Sequence, residues 1–315
     1  MKILVSGSVA YDLLLTYDGS FADAIEAADL KDLSVAFVTP RFARHHGGTG
    51  ANIAWNLRLL NQEPLLVSTV GDDGGAYTAL LEERGIATKH IERIKQSMTP
   101  TAIIATDSRE HQITFYHPGA DSRGTWPDLA EERDDLRYAI VSPRDTAVMS
   151  KAAAWCDEYR VPYIFDPGQQ VLAFAEGELR KAVAGSSGVI ANAYEWSLLS
   201  DRLHMSADDI LEHAEFLIVT HGEEGATLYT RGRSDVVPAC APEKVLNPTG
   251  AGDAFRAGVL TGLSAGWSLL ESARLGASLA SFVVEIEGTL LDTIDLNDVL
   301  GRAEVTYGEM LPELP

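Results

Sequence analysis

Apolar positions along the chain change their period several times. Short continuous runs bounded by glycine or polar turns fall at Lys2–Ser6, Leu65–Val70, Tyr138–Val141, Tyr163–Phe165, Gly188–Ala191 and Phe216–Thr220. Runs this short and this apolar read as strands covered on both faces. Elsewhere the spacing shifts to three and four residues. It does so over Ala51–Leu60, with Ile53, Leu57 and Leu60 on one face, and over Ala76–Arg84, Thr146–Tyr159, Ala251–Ser264 and Leu269–Glu285. This alternation predicts an α/β fold with a mainly parallel sheet and helices on both faces. Ala226–Tyr229 and Ser234–Val237 read as an antiparallel pair.

Two further passages are β-rich. Leu13–Tyr17 and Val35–Phe42 read as strands, with an acidic loop or short helix, Phe21–Asp32, between them. Thr99–Thr106 and Gln112–Tyr116 pair around the turn Asp107-Ser108-Arg109-Glu110. The expected division is therefore a main α/β domain of residues 1–12, 43–97 and 118–315, with 13–42 and 98–117 forming a β-sheet lid. The lid would cover the cleft at the carboxyl ends of the parallel strands, where open α/β sheets bind ligands.

Composition narrows the possibilities. With 315 residues, 46% of them hydrophobic, the chain can bury a sizeable core. Its net charge of -21 supplies no basic patch, which argues against nucleic acid and anionic membranes as partners. The two cysteines, Cys156 and Cys240, match no metal spacing. The chain runs from Met1 straight into a strand without a signal-peptide pattern, and no apolar run reaches membrane-spanning length. A cytoplasmic protein is the expectation.

The strongest chemical signal is Asn247-Pro248-Thr249-Gly250-Ala251-Gly252-Asp253, running into Ala254-Phe255-Arg256. Two glycines open a helix whose first amides have no partners inside the helix. Those amides and the helix dipole make an anion site that a phosphate can approach closely. Asp253, one step on, can take a proton from an attacking hydroxyl while the amides hold the developing negative charge. A carboxylate at a positive helix end is expected to have a lowered pKa. The run is not a Walker A loop, and Gly7-Ser8-Val9 falls short of a dinucleotide fingerprint.

This segment resembles the second signature of the ribokinase-like carbohydrate kinases, the PfkB family. Gly47-Gly48-Thr49-Gly50-Ala51-Asn52 is similar to its first signature, Asn192-Ala193-Tyr194-Glu195 to its Asn-x-x-Glu motif, and Thr220-His221-Gly222, with Gly225 following, to its nucleotide-site turn. The resemblance covers nearly the whole chain. It implies a ribokinase-like three-layer α/β/α sandwich with a small β-sheet lid, and transfer of the γ-phosphate of ATP to a sugar hydroxyl. It assigns Asp253 as base and the amides of Gly250, Ala251 and Gly252 as anion hole. Asn192, Thr220, Gly222 and Gly225 would line the ATP site. Asn192, Glu195 and Asp166 would place Mg²⁺, largely through water. Asp12, Gly47, Gly48 and Asn52 would bind the sugar. Asn192 and Glu195 also have capping-box spacing. Asn247 stands where the family usually carries an aspartate of a monovalent-cation site, which leaves activation by K⁺ in doubt.

For the acceptor, Phe115-Tyr116-His117-Pro118-Gly119-Ala120, Asp166-Pro167-Gly168-Gln169-Gln170 and Arg256 resemble the nucleoside-kinase branch. Adenosine leads among the candidates, with a simple sugar as the alternative and a non-catalytic binding protein as a third reading. Phe42, Phe115 and Tyr116 could stack on a base, or pack the lid's own core, and Gln112 could bond a base or ribose edge. By resemblance, the lid could also join two subunits in a homodimer.

Overall fold

The structure is a computed structural model that describes residues 1–26 and 35–314. Its larger sheet is built from β1 (Lys2–Ser6), β4 (Glu63–Val70), β5 (Ile91–Arg93), β8 (Leu136–Val141), β9 (Tyr163–Phe165), β10 (Gly188–Asn192), β11 (Phe216–Thr220), β12 (Ala226–Thr230) and β13 (Arg233–Val237). The order across it is β13-β12-β11-β10-β9-β8-β1-β4-β5. Every pairing from β11 to β5 is parallel, and β12 and β13 close one edge as an antiparallel hairpin.

Strand alternation sorts the apolar residues into two layers. Val5, Leu66, Ile140, Ile164, Ile190 and Ile218 face one core, completed by α2 (Thr49–Leu59), α3 (Gly75–Glu83), α8 (Ala251–Ser264), α9 (Leu269–Val283) and α10 (Leu296–Tyr307). Leu4, Val67, Val141, Phe165, Val189 and Leu217 face the other, covered by α4 (Thr146–Tyr159), α5 (Glu176–Gly185), α6 (Ala193–Leu203) and α7 (Ala207–Leu211). The result is an α/β/α sandwich. Within it α8 and α9 cross so closely that a Cβ on Gly258 would lie 2.4 Å from the Gly276 Cα.

A second sheet has the order β3-β2-β6-β7, from β2 (Ala10–Thr16), β3 (Arg41–Gly47), β6 (Thr101–Thr106) and β7 (Gln112–His117). The two β-rich passages do fold together, through parallel pairing of β2 with β6. Strand β3 differs from expectation. Residues 35–40 are irregular and the strand runs instead from Arg41 to Gly47, so Gly47 ends a strand rather than sitting in a free turn. The acidic stretch forms a short helix, α1 (Phe21–Glu26), and its remainder lies outside the described residues.

Register fixes which lid residues share a face. Asp12 is level with His45 on β3 and Ala102 on β6, and Ala102 with Tyr116 on β7. Leu13, Ile103 and Phe115 form the next row and face the opposite way. Gln112 is level with Thr106, which is level with Thr16, at the far end of the sheet from Asp12.

Candidate active site

The cleft lies where β9, β10 and β11 end and α8 begins. It has a volume of about 210 Å³ and is lined by Thr49, Pro143, Asp166, Gly168, Asn192, Glu195, Thr220, Gly252, Asp253 and Arg256. The chain enters α8 through Gly250, whose φ of 88° is one that a residue with a side chain rarely adopts. Asn247 shapes the approach: its Oδ1 accepts from the Thr249 amide at 2.9 Å. Of the expected anion-hole amides, that of Ala251 donates to Pro248 O at 3.3 Å. The amides of Gly250 and Gly252 have no protein acceptor among the described residues.

Asp253 lies in the first turn of α8, and its Oδ2 accepts from Asn52 Nδ2 at 2.8 Å. Its pKa is not lowered, as the helix end led us to expect, but raised to about 7. Burial is the largest cause, opposed by Arg256 and the Asn52 hydrogen bond and reinforced by Asp166 and Asp12. Desolvation of a carboxylate between the sheet and the lid outweighs the helix-end potential.

Arg256, expected on the substrate, lines the cleft and grips Asp166. Its Nε donates to Asp166 Oδ2 at 2.7 Å and its Nη2 to Oδ1 at 2.9 Å. Its Nη1 donates to Gly252 O at 3.0 Å. Asp166 is fully buried, and both of its oxygens are occupied by this fork. It stands in the cleft as the partner of Arg256.

Asn192 and Glu195 form the reciprocal capping box that their spacing allowed. Asn192 Oδ1 accepts from the Glu195 amide at 2.8 Å, and Glu195 Oε2 accepts from the Asn192 amide at 2.9 Å. Burial, with Asp166 nearby, raises the Glu195 pKa. Thr220 ends β11 at the cleft. Gly222 opens a single turn with open space around it, while Gly225 abuts the end of β13, where a Cβ would meet Val237 O at 2.1 Å.

On the lid side, Asp12 belongs to β2 itself, the lid strand that begins at Ala10. Burial raises its pKa, opposed by His45. A Cβ on Gly47 would lie 2.2 Å from Asp12 Oδ2, so the carboxylate occupies the room a side chain would need. The Gly47 carbonyl accepts from the Tyr77 hydroxyl at 2.8 Å. Gly48, with φ of 92°, turns the chain into α2, which carries Asn52 toward Asp253. Phe115 is 65% exposed on the opposite lid face and Gln112 sits at the far end, so neither joins the cleft. Tyr116 shares the face of Asp12, and Asp121, Arg144 and Asp12 are close enough to bear on its hydroxyl.

Pro143 and Thr289 were not singled out from the sequence. Pro143 follows β8 with no motif to mark it, and Thr289 reaches the cleft residues only through the folding of the segment after α9.

Comparisons agree with this geometry. The nucleoside kinase of Methanocaldococcus jannaschii is 30% identical over 267 residues, covering 84% of this chain and 87% of that protein. The structure of Burkholderia thailandensis nucleoside kinase in complex with inosine superposes with a TM-score of 0.88 at 30% identity, covering 98% of this chain and 99% of that one. The same kinase in complex with ADP-inosine gives a TM-score of 0.85. Ribokinase of Bacillus subtilis is 26% identical over 292 residues, covering 90% of this chain and 92% of that protein. The pattern of the pfkB family carbohydrate kinases matches residues 2–295, from the first strand to the edge of the last helix, and the chain belongs to that family.

Proposed function

We propose that this protein is an ATP-dependent nucleoside kinase that phosphorylates the ribose 5′-hydroxyl of a purine nucleoside. The observation that carries this reading is the pairing of Asp253 with the Gly252 amide, without a protein acceptor among the described residues, at the start of α8, with Asp12 of the lid near enough for its charge to bear on Asp253. The relatives named for nucleoside substrates, including one bound to inosine, support the acceptor class.

In this reading Asp12 accepts hydrogen bonds from the ribose hydroxyls and holds the 5′-hydroxyl against Asp253. Asp253 takes the hydroxyl proton as the bond to phosphorus forms. The open amides at the helix start hold the charge on the transferring group, and being fixed in place they reorganise little. Arg256, locked to Asp166 and tied to Gly252 O, keeps the turn in register and brings positive charge into an acidic cleft. The lid excludes water, which would otherwise hydrolyse ATP. Thr220, Gly222 and Asn192 flank the place of the nucleotide.

Among the described residues no three His, Cys, Asp or Glu side chains converge to hold a metal. That fits Mg²⁺ carried on the phosphates, with Glu195 and Asn192 reaching its waters, since Mg²⁺ keeps much of its hydration. The ion would neutralise phosphate charge. The neutral Asn247 leaves its turn without the extra carboxylate that a bound monovalent cation would favour. Phe42 and Phe115, 63% and 65% exposed on one lid face, support a homodimer through that face. Two free, buried thiols fit a reducing cytoplasm.

The test is ATP consumption over a panel containing adenosine, inosine, other nucleosides and free sugars, with and without Mg²⁺. Turnover with purine nucleosides is expected. Turnover with free sugars alone would overturn the assignment.

A further inference from the structure

We propose that Thr289 is a positioning residue for phosphoryl transfer: its hydroxyl keeps the Asn52 amide paired both before and after Asp253 takes up a proton. The inference rests on the reading of Asp253 as base and deepens it. Thr289 lies in the irregular segment after α9 and is 2% exposed. Its Oγ1 is 2.9 Å from Asn52 Oδ1 and 2.9 Å from the carbonyl of His46. Both neighbours are acceptors and a hydroxyl has one hydrogen, so it can serve only one of them fully at a time.

Asn52 is 3% exposed, so each end of its amide needs a protein partner. With Asp253 ionised, Nδ2 donates to the carboxylate at 2.8 Å. That leaves Oδ1 facing Thr289, whose hydroxyl donates to it. When Asp253 has taken the proton of the acceptor hydroxyl, the better arrangement is the reverse. The amide turns over, Oδ1 accepts from the new carboxylic acid, and Nδ2 donates to Thr289 Oγ1. The hydroxyl hydrogen then swings to His46 O. Both ends of the Asn52 amide are paired in both states, and no proton leaves the chain of groups other than the one Asp253 later returns to solvent. The equal distances to two acceptors are what such a two-position hydroxyl requires. Charges from each surrounding element bear on Asp253: Arg256 from α8, Asp166 from beyond β9 and Asp12 from the lid.

The position of Thr289 is itself fixed from two sides. Its side chain packs on the catalytic turn, where a Cβ on Gly250 would meet Thr289 Cβ at 3.0 Å and Cγ2 at 3.1 Å. The segment beyond it is pinned by Trp55 Nε1, which donates to Leu291 O at 2.8 Å, and by Arg84, which donates to the carbonyls of Leu291 and Asp292. Thr289 thus links the turn that carries the open amides to the amide that steadies the base.

The experiment is steady-state kinetics on the full chain with Thr289→Val, Thr289→Ser and Asn52→Ala, and with the Asn52→Ala/Thr289→Val double variant. Thr289→Val keeps the packing methyl and loses the hydroxyl. It is expected to lower kcat about tenfold, the scale of one hydrogen bond in a charge-linked chain, with the KM for ATP unchanged. Thr289→Ser is expected to recover most of kcat. In the Asn52→Ala background Thr289→Val is expected to cost less than about twofold, because the two act as one unit. Should Thr289→Val not fold, Thr289→Ala against Thr289→Ser gives the same comparison. Wild-type kcat in Thr289→Val, equal impairment in Thr289→Ser, or a full tenfold loss without Asn52 overturns the proposal. Asp253→Asn is run alongside: if it retains turnover the base assignment itself fails, whereas an inactive Asp253→Asn with a wild-type-like Thr289→Val sinks only the role of Thr289.

Discussion

Arg256 and Asp166, 90 residues apart in sequence, meet in a two-pronged ion pair at the floor of the cleft, with Arg256 also bonded to the carbonyl of Gly252. Removing one member leaves a buried charge without its partner. Asp166→Ala should therefore destabilise the fold by about 3 kcal/mol or more, measured by urea unfolding. Replacing both, as Asp166→Leu with Arg256→Met, should cost less than the single change while still lowering kcat, because the tie to Gly252 is gone. A double variant less stable than Asp166→Ala would show that the pair is held for stability.

Asp253→Asn should lose at least about a hundredfold in kcat, the low end of general-base contributions. The wild-type kcat should rise with pH through about 7, because burial holds Asp253 protonated below that point and only the carboxylate can act as base. Asn52→Leu removes a hydrogen bond that favours the charged form, so it should move this limb to higher pH. The same shift has a stability consequence. Since the folded pKa lies above the ordinary 3.8, this group binds its proton more tightly when folded, and its contribution to stability falls as pH rises from about 4 to about 7. A kcat profile flat from pH 5 to 8 would contradict the assignment.

Tyr116, not Phe115, shares the face of Asp12. Tyr116→Ala should raise the KM for the nucleoside about tenfold, the scale of losing one base-stacking contact. Phe115→Ala and Gln112→Ala should leave it within about twofold. A loss with Phe115→Ala and none with Tyr116→Ala would mean that the base lies on the other side of the lid.

Gly47→Ala places a methyl where the Asp12 carboxylate sits, 2.2 Å from Oδ2. The acceptor KM should rise at least about tenfold, as for loss of a charged hydrogen bond, while nucleotide affinity measured by calorimetry stays unchanged. Equal weakening of both would point to a general disruption instead.

The parallel sheet was legible because its strands are continuous apolar runs, and Tyr163–Phe165, Phe216–Thr220 and the helix Ala251–Ser264 have the bounds read from the sequence. Strand β5 and helix α10 were not read. The first is three residues long, and the second begins at Leu296 beyond the last strong motif. The motif residues Asp253, Asn52, Asn192, Glu195 and Thr220 lie in one region. Contacts across long separations, such as Arg256 with Asp166 or Thr289 with Asn52, leave no local pattern. Phe115 and Gln112 lie away from Asp12 for related reasons: composition identifies a lid strand, but only register decides that Phe115 presents the other face and that Gln112 sits at the far end. The raised pKa of Asp253 was missed because helix-end potential is visible in sequence and desolvation is not.

Asp12 and Tyr116 ride on the four-stranded sheet, whereas Asp253, Gly252 and Arg256 belong to the nine-stranded one. On the proposed reading, recognition of the acceptor and the chemistry of transfer reside on separable parts of a single chain. Substitutions in the smaller part other than at Asp12, whose charge bears on Asp253, can then change what is phosphorylated more than how, which makes that part the place to retarget the enzyme.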